Sequence, residues 1–431
     1  MTLPMRNGSD DDADIGDIAD LIAVQAEALS QKLQAHRLKL FPPSAQKPLR
    51  LFGIAEAAKL LGVSGGYLKN LSLEGKGPVP GLNGTRRVYT AEQIGELRAF
   101  LEQYGRPDRH YLPHRRGNEH QQIIAVVNFK GGSCKTTTTI NLAQYLALRG
   151  HRVLAIDLDP QASLSALCGL QPEFDLGPNE SLYGAIRYDD QVRPLCQIIR
   201  RTNFPGLDLV PGAIEVSEFE YDTPTVLAKS EGRETATYYS RLETALADVR
   251  DDYDVVLVDC PPMLGYLTLA ALCTATAVLI TVHPQMLDVM SMCQFLAMMS
   301  GTLGTMKRVG ADLRYDWLRY LITRFEPGDG PQAQMEAFMR SLFGEYVLKN
   351  PMLKSVAISD AGMTKQTLYE VERRQFTSAT YDRAMESLDA VNGELEALIH
   401  AAWGRGGQSL QAPEKPAART MTSAEEAANG A

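Results

Sequence analysis

Cysteine is scarce in this chain. The six among 431 residues (Cys134, Cys168, Cys196, Cys260, Cys273, Cys293) form no Cys-x-x-Cys pair and no zinc-type spacing. That sets aside a disulfide scaffold and a structural zinc domain, and the thiols read as reduced ones in a cytoplasmic protein. The first residues lack the basic start and apolar centre of a secretion signal, and no unbroken apolar run reaches the ~18 to 20 residues of a membrane span. Positive charge is short as well, 43 Lys and Arg against 52 Asp and Glu, a net charge of −9. Taken alone, this argues against a nucleic-acid partner. The average hides a segregation, because Ser44 to Gly117 carries twelve Lys and Arg against six Asp and Glu, whereas the first 43 residues carry four against seven. A basic module is embedded in an acidic chain. What remains is ordinarily globular, 45% hydrophobic and 22% charged, with a length that suggests two or three domains.

The stretch that organises the chain is Val126-Val127-Asn128-Phe129-Lys130-Gly131-Gly132-Ser133-Cys134-Lys135-Thr136-Thr137. Ile123 to Val127 has the length and β-branched content of a buried parallel strand, and Thr136 to Arg149 reads as a helix with apolar positions at Ile140, Leu142, Ala143, Leu146 and Ala147. Strand, glycine turn and helix come in the order of a nucleotide-phosphate cradle. Glycines let backbone N–H groups face an anion, and a helix N-terminus adds roughly half a positive charge. Lys135 is placed to reach the β and γ phosphates of ATP and the Thr136 hydroxyl to bind Mg2+, with Lys130 to Thr137 as the ATP-binding residues. The usual P-loop spacing is not met, since Cys134 stands where the second glycine would be.

Before this stretch, Ile15, Ile18, Ile22, Ala26, Leu29, Leu33 and Leu40 recur at mostly helical steps until Pro42-Pro43, after an Asp-rich, disordered start. The apolar stripe is either a dimerisation seam or a face packed on its own chain. Leu51 to Leu71 has the spacing of a helix-turn-helix, with Gly62 at the turn, Ala58 at the close crossing and Ser64 as a cap. A turn-rich excursion tipped by Arg86 and Arg87 follows, then a helix start at Thr90. This order resembles a MerR-type winged helix-turn-helix, which implies Tyr67, Lys69 and Asn70 facing the major groove and Arg86 and Arg87 on phosphate or minor groove. A three-helix packing module without DNA contact is the other reading. Arg106 to Gly117 reads as a basic linker.

Downstream, Val153 to Asp157 is a second buried strand, ending in Asp157-Leu158-Asp159-Pro160-Gln161, and its carboxylates fall at the same sheet edge as the phosphate loop. A helix is expected over 235–250. Val255 to Asp259 followed by Cys260-Pro261-Pro262 has the Walker B pattern, and Ala277 to Val282 and Leu318 to Thr323 are further strands. His283, at one strand's active end, reads as a structural or base-edge residue. A Met-rich helix, Met286 to Met299, suits a core or an adaptable interface. A last helix is expected over 381–403, with a Gly/Ala/Pro/Ser-rich disordered tail.

Lys-Gly-Gly-x-x-Lys-Thr, Asp-x-Asp-Pro-Gln and Asp-x-Pro-Pro together resemble the ParA/MinD family of deviant Walker ATPases, over about residues 121 to 403. The fused helix-turn-helix narrows the resemblance to the long, plasmid-type ParA proteins, the RepA group of repABC plasmids. The fold it implies is α/β: a doubly wound, mostly parallel sheet forming a P-loop ATPase domain (118–403), preceded by an N-terminal helix (1–43) and a winged helix-turn-helix with its linker (44–117), and followed by the tail (404–431). The roles it implies are catalytic for Lys130, Lys135 and Asp159, with Asp159 orienting the attacking water. It further implies metal binding for Thr136 and Asp259, with Asp157 fixing the loop and metal shell. The family's late DNA-contacting arginine falls on Ala357 here, so Lys354 stands in as the candidate.

The function implied is ATP-dependent plasmid partition in the cytoplasm, on the nucleoid. An ATP-bound homodimer, with Lys130 reaching across to its partner's phosphate, binds DNA and a ParB/RepB-type protein, and hydrolysis resets it. The helix-turn-helix implies autorepression at an operator. The tail lacks the basic amphipathic pattern of a membrane-targeting helix. The main alternative is a nucleotide-gated transcriptional repressor with negligible turnover. A metabolic enzyme on the same fold is the other, and it would lack the DNA module.

Overall fold

The computed structural model describes residues 18–40, 49–229 and 238–405. It divides into two units, Met1–Pro48 and Leu49–Ala431. In the first, α1 (Ile18–Leu40) is a 23-residue helix whose described side chains, Ile18 to Lys32, are all exposed, Ile22, Val24 and Leu29 among them. The Asp-rich start, including Ile15, and nearly all of the 404–431 tail lie outside the described residues.

The second unit is built on a seven-stranded sheet. Its strands are β4 (Gln122–Val127), β5 (Val153–Asp157), β6 (Arg200–Arg201), β7 (Leu207–Val210), β8 (Val255–Asp259), β9 (Ala277–Val282) and β10 (Trp317–Ile322), in the order β10-β9-β4-β8-β5-β7-β6. All pairs are parallel except β6 with β7. The strands carry almost unbroken aliphatic runs because helices cover both faces. Alternation splits those runs between two cores: Ile124 and Val126 of β4 face one, and Ile123, Ala125 and Val127 face the other. The first core is closed by α5 (Lys135–Arg149) and, from the far end of the chain, the last helix through Leu388, Val391 and Leu395. Strand order reverses around β4, so the loop after it opens at a switch point on the C-terminal edge.

The small module comprises three strands, β1 (Phe52–Gly53), β2 (Gly81–Asn83) and β3 (Arg86–Tyr89), ordered β1-β3-β2, with α2 (Ile54–Leu61), α3 (Gly65–Leu73) and α4 (Ala91–Tyr104). Gly62, at φ +63, ends α2 in the left-handed region that favours glycine, and a Cβ there would collide with the Arg109 guanidinium. The Ser64 hydroxyl caps α3 by accepting from Tyr67 N at 3.1 Å, and a Thr90–Gln93 capping box starts α4.

Residues 106–117 have no regular structure, yet they are held along their length. Tyr111 is buried, the Glu102 carboxylate accepts from Tyr111 N and Leu112 N, and Asp254 accepts from Arg115 N. Arg98, buried on α4, donates to the carbonyls of Tyr111, Leu60 and Leu148, the last on α5. Leu49–Ala431 is therefore one compact unit, and the stretch read as a linker is a docking segment.

The remaining helices are α6 (Ser163–Leu167), three single turns α7 (Pro172–Asp175), α8 (Tyr183–Ile186) and α9 (Leu195–Ile198), α10 (Glu218–Lys229), α11 (Arg241–Ala247), α12 (Tyr266–Thr274), α13 (Met286–Arg308), α14 (Gly330–Phe343), α15 (Val356–Met363) and α16 (Ser378–Ala402). The helix expected over 235–250 is shorter. A 3-10 turn at Tyr238–Ser240 leads into α11, and 235–237 lie outside the described residues. The Met-rich helix is longer, running to Arg308. With 23 residues it is long and apolar enough to cross a membrane by length and composition, although it holds no unbroken apolar run of that length. The search for unbroken apolar runs missed it because Asp288, Ser291 and Gln294 punctuate it. Its Met292, Phe295 and Met299 pack into the second core.

Candidate nucleotide-binding site

After β4 the chain is tied down before it turns. The Asn128 amide donates to the Thr281 carbonyl on β9 at 2.6 Å, and its oxygen accepts from Lys130 N at 3.0 Å. Gly132 takes φ +78, while the glycines' Cβ positions at 131 and 132 face open space. Ser133 is buried, its hydroxyl held by Thr281 Oγ1 and its carbonyl by Thr323 Oγ1, both at 3.1 Å. Cys134 adopts φ +65, a left-handed conformation unusual for a side-chain-bearing residue, and it does so where the usual P-loop spacing has glycine. Lys135 opens α5 from a buried position, its Nζ 3.5 Å from the Lys130 carbonyl. Burial lowers the Lys135 pKa, opposed chiefly by the nearby Asp259 carboxylate. Thr136 and Thr137, in the first turn, are half-buried.

Parallel register sets Asp157 beside Asp259, with Val126 of β4 on the other side of Asp259. The two carboxylates are both buried but differently employed. Asp157 accepts from Ser165 N (2.8 Å), Ser165 Oγ (2.7 Å) and Asp159 N (3.2 Å), so both of its oxygens brace the turn into α6. Neither oxygen of Asp259 meets ordinary hydrogen-bond geometry with a described residue, although the Thr136 hydroxyl lies close enough to favour its charged form. Burial first, and the Asp157 charge second, raise its pKa well above the usual carboxylate range, while Thr136 and Lys135 favour the charged form. Asp159 is partly exposed, and its Oδ1 accepts from Gln161 N at 2.9 Å.

Lys130 reaches away from the loop to Asp288 in the first turn of α13, Nζ to Oδ2 2.8 Å, with the lysine 38% and the aspartate 10% exposed. Sequence reading missed Asp288, Ser165, Thr281 and Thr323. An acidic residue opening the helix after a strand that ends at the loop edge was the available signal for Asp288. His283 is buried, and burial and Arg324 lower its pKa, in keeping with a neutral structural ring.

The remaining candidates lie elsewhere. Tyr67, Lys69 and Asn70 are exposed on one face of α3, and Arg86 and Arg87 lie on β3 of the hairpin. Lys354 is exposed but paired with Glu326 at 2.8 Å, and Ala357 is fully buried at the start of α15, so that position offers no surface.

Comparison with known proteins agrees with this geometry. A family model described as an AAA domain matches residues 121–308. A Sinorhizobium fredii protein provisionally named replication protein A is 59% identical over 388 residues, 90% of this chain and 95% of its own. The chromosome partitioning protein ParA of Caulobacter vibrioides is 30% identical over 246 residues, 56% of this chain and 83% of its own. The chain belongs to the ParA family of P-loop ATPases. The match to the S. fredii protein, at 388 residues, is longer than everything after residue 117, so that similarity extends into the residues before the ATPase domain. Among solved structures, one titled partition protein superposes with a TM-score of 0.58 at 19% identity, over 86% of this chain and 98% of that one. The cobyrinic acid a,c-diamide synthase of Mycobacterium smegmatis, solved with an ATP analogue and magnesium, gives 0.50 at 24% identity, over 68% and 100%. Both share the ParA fold.

Proposed function

We propose that the chain is an ATP-dependent plasmid partition protein, a nucleotide switch whose ATP-bound dimer holds DNA and a ParB/RepB-type partner and is reset by hydrolysis. The observation that carries this reading is Asp259: a buried carboxylate whose two oxygens lack ordinary hydrogen bonds, beside Lys135 and Thr136 at the mouth of α5. Such a group calls for a cation, and the open glycine turn beside it suits a phosphate chain. Thr136 and Asp259 would hold Mg2+, which when bound supplies Lewis-acid charge to the β and γ phosphates. Lys135 neutralises the same phosphates from a dry position, and Asp159, the accessible carboxylate of the edge, orients the attacking water. Lys130 is held outside the loop by Asp288 and is free to exchange that partner for a phosphate on a second subunit. Asp288 is itself buried, so the exchange has to be driven by the phosphate charge that Lys130 gains.

Arg98 joins the helix-turn-helix module to α5, the helix that the phosphate loop opens. This favours operator binding gated by the nucleotide, and hence autorepression, as a second activity. Sedimentation of the Lys130→Ala protein tests the dimer: it should bind ATP and remain monomeric where the unaltered protein dimerises. An ATP-dependent dimer of undiminished stability would remove the role of Lys130 across the interface.

A further inference from the structure

Where α2, α4, the 106–117 segment and the C-terminal ends of α5 and α16 meet, the chain forms a half-open pocket of about 320 Å³. It lies at the opposite end of α5 from the phosphate loop, about 22 Å along the helix axis. Six cations line it (Lys59, Arg98, Arg109, Arg116, Arg149 and Arg405) against one carboxylate, Glu396. That carboxylate is committed already, accepting from His151 Nε2 at 3.0 Å and pairing with Arg149 at 3.1 Å. Arg405 is paired with Glu119. Among the described residues, Lys59, Arg98, Arg109 and Arg116 have no carboxylate in ion-pair contact.

Two buried nitrogens lie behind the pocket wall. Arg98 is 5% exposed, and its Nε has no partner although its other nitrogens do. His400 Nε2 also lacks a partner. Burial and the like charge of Arg149 draw the Arg98 pKa down to about 10, and burial draws His400 down to about 4. What points to an anion is the charge around the pocket: cations from α2, the 106–117 segment and the ATPase helices converge on one concave surface with a single, committed carboxylate.

We infer that this pocket is a second anion site, taking a compact polyphosphate, either inorganic or the phosphate end of a nucleotide. The volume sits at the lower end of small-ligand pockets, enough for a di- or triphosphate. An occupant would bridge Lys59 of the helix-turn-helix module, Arg109 and Arg116 of the docking segment, and Arg149 of the ATPase helices. Binding there cements the docked module. The site does not rest on the partition reading, because it uses no residue of the phosphate loop.

The test is calorimetric titration of the full-length Lys135→Ala protein, without magnesium, with inorganic pyrophosphate and in parallel with ADP. One saturable site is expected for at least one of the two, and the tighter names the source of the phosphate. Adding Lys59→Gln, Arg109→Gln and Arg116→Gln, all exposed side chains, should weaken it about tenfold or more. The ligand-induced rise in melting temperature should shrink in parallel, and the single Lys59→Gln and Arg116→Gln proteins provide the same readout if the combined variant folds poorly. No saturable binding in the millimolar range, or equal affinity in the variants, overturns the proposal. So does a variant that loses duplex DNA while the parent ignores both phosphates, since the pocket wall would then be a DNA contact.

Discussion

Asp157 and Asp259 are neighbours on adjacent strands and are both out of water, yet only Asp259 lacks ordinary hydrogen bonds. The division follows from what each one touches. Ser165 and the Asp159 amide occupy Asp157, so it shapes the turn that presents Asp159. Two expectations follow at this scale. Lys135→Ala should weaken ATP about 100-fold or more, because a buried charge-assisted contact to phosphate is lost. Asp159→Ala should bind ATP with near-normal affinity but turn it over about 100-fold more slowly, measured as phosphate release beside an equilibrium binding assay. Normal turnover would remove Asp159 from the chemistry. The three boxes were legible because phosphate and magnesium chemistry demands particular residue types at fixed spacing on one sheet edge. Asp288 and Thr323 were not, since each meets the loop from more than 150 residues away, where only the fold brings them together.

At the scale of elements, the 106–117 segment carries most of the surprise. Composition marked it as a linker, and it has no regular structure; what holds it is the Glu102 and Asp254 carboxylates and the Arg98 and Arg405 guanidinium groups, all contributed by other elements. Hydrogen bonds from Arg152 and from the Arg115 and Arg152 amides overcome burial and hold Asp254 down at about 2. His110 and the Tyr111 and Leu112 amides do the same for Glu102. Carboxylates depressed on folding contribute stability that is present above their unfolded values near 4 and is lost as pH falls through the folded ones near 2. Acid titration should therefore loosen the module from the sheet between about pH 4 and pH 2, read as amide-exchange protection lost first at residues 98–117. Uniform loss across the unit would contradict the docking role. On the DNA side, Arg86→Ala with Arg87→Ala should weaken operator binding and flatten its salt dependence by up to two units of slope, whereas Asn70→Ala should relax sequence preference. Unchanged binding in all three would leave the module a packing element. The strands were readable because buried parallel strands are short aliphatic runs. Helix limits such as those of α11 and α13 were less so, because tertiary packing sets where a weakly capped helix stops.

The whole molecule joins a small basic module to an acidic ATPase unit through the helix that begins at the phosphate loop. Charge segregation signalled that union in the sequence, while the rigidity of the joint did not show, because it depends on Arg98 reaching three carbonyls from separate elements. In this account nucleotide state decides when the protein holds DNA. The direct test is fluorescence anisotropy of the full-length protein on random-sequence and operator duplexes with ATP, ADP or neither, repeated across salt. The account predicts tight, salt-sensitive binding to random DNA with ATP alone. Binding confined to operator and indifferent to ATP would contradict it and make the protein a repressor.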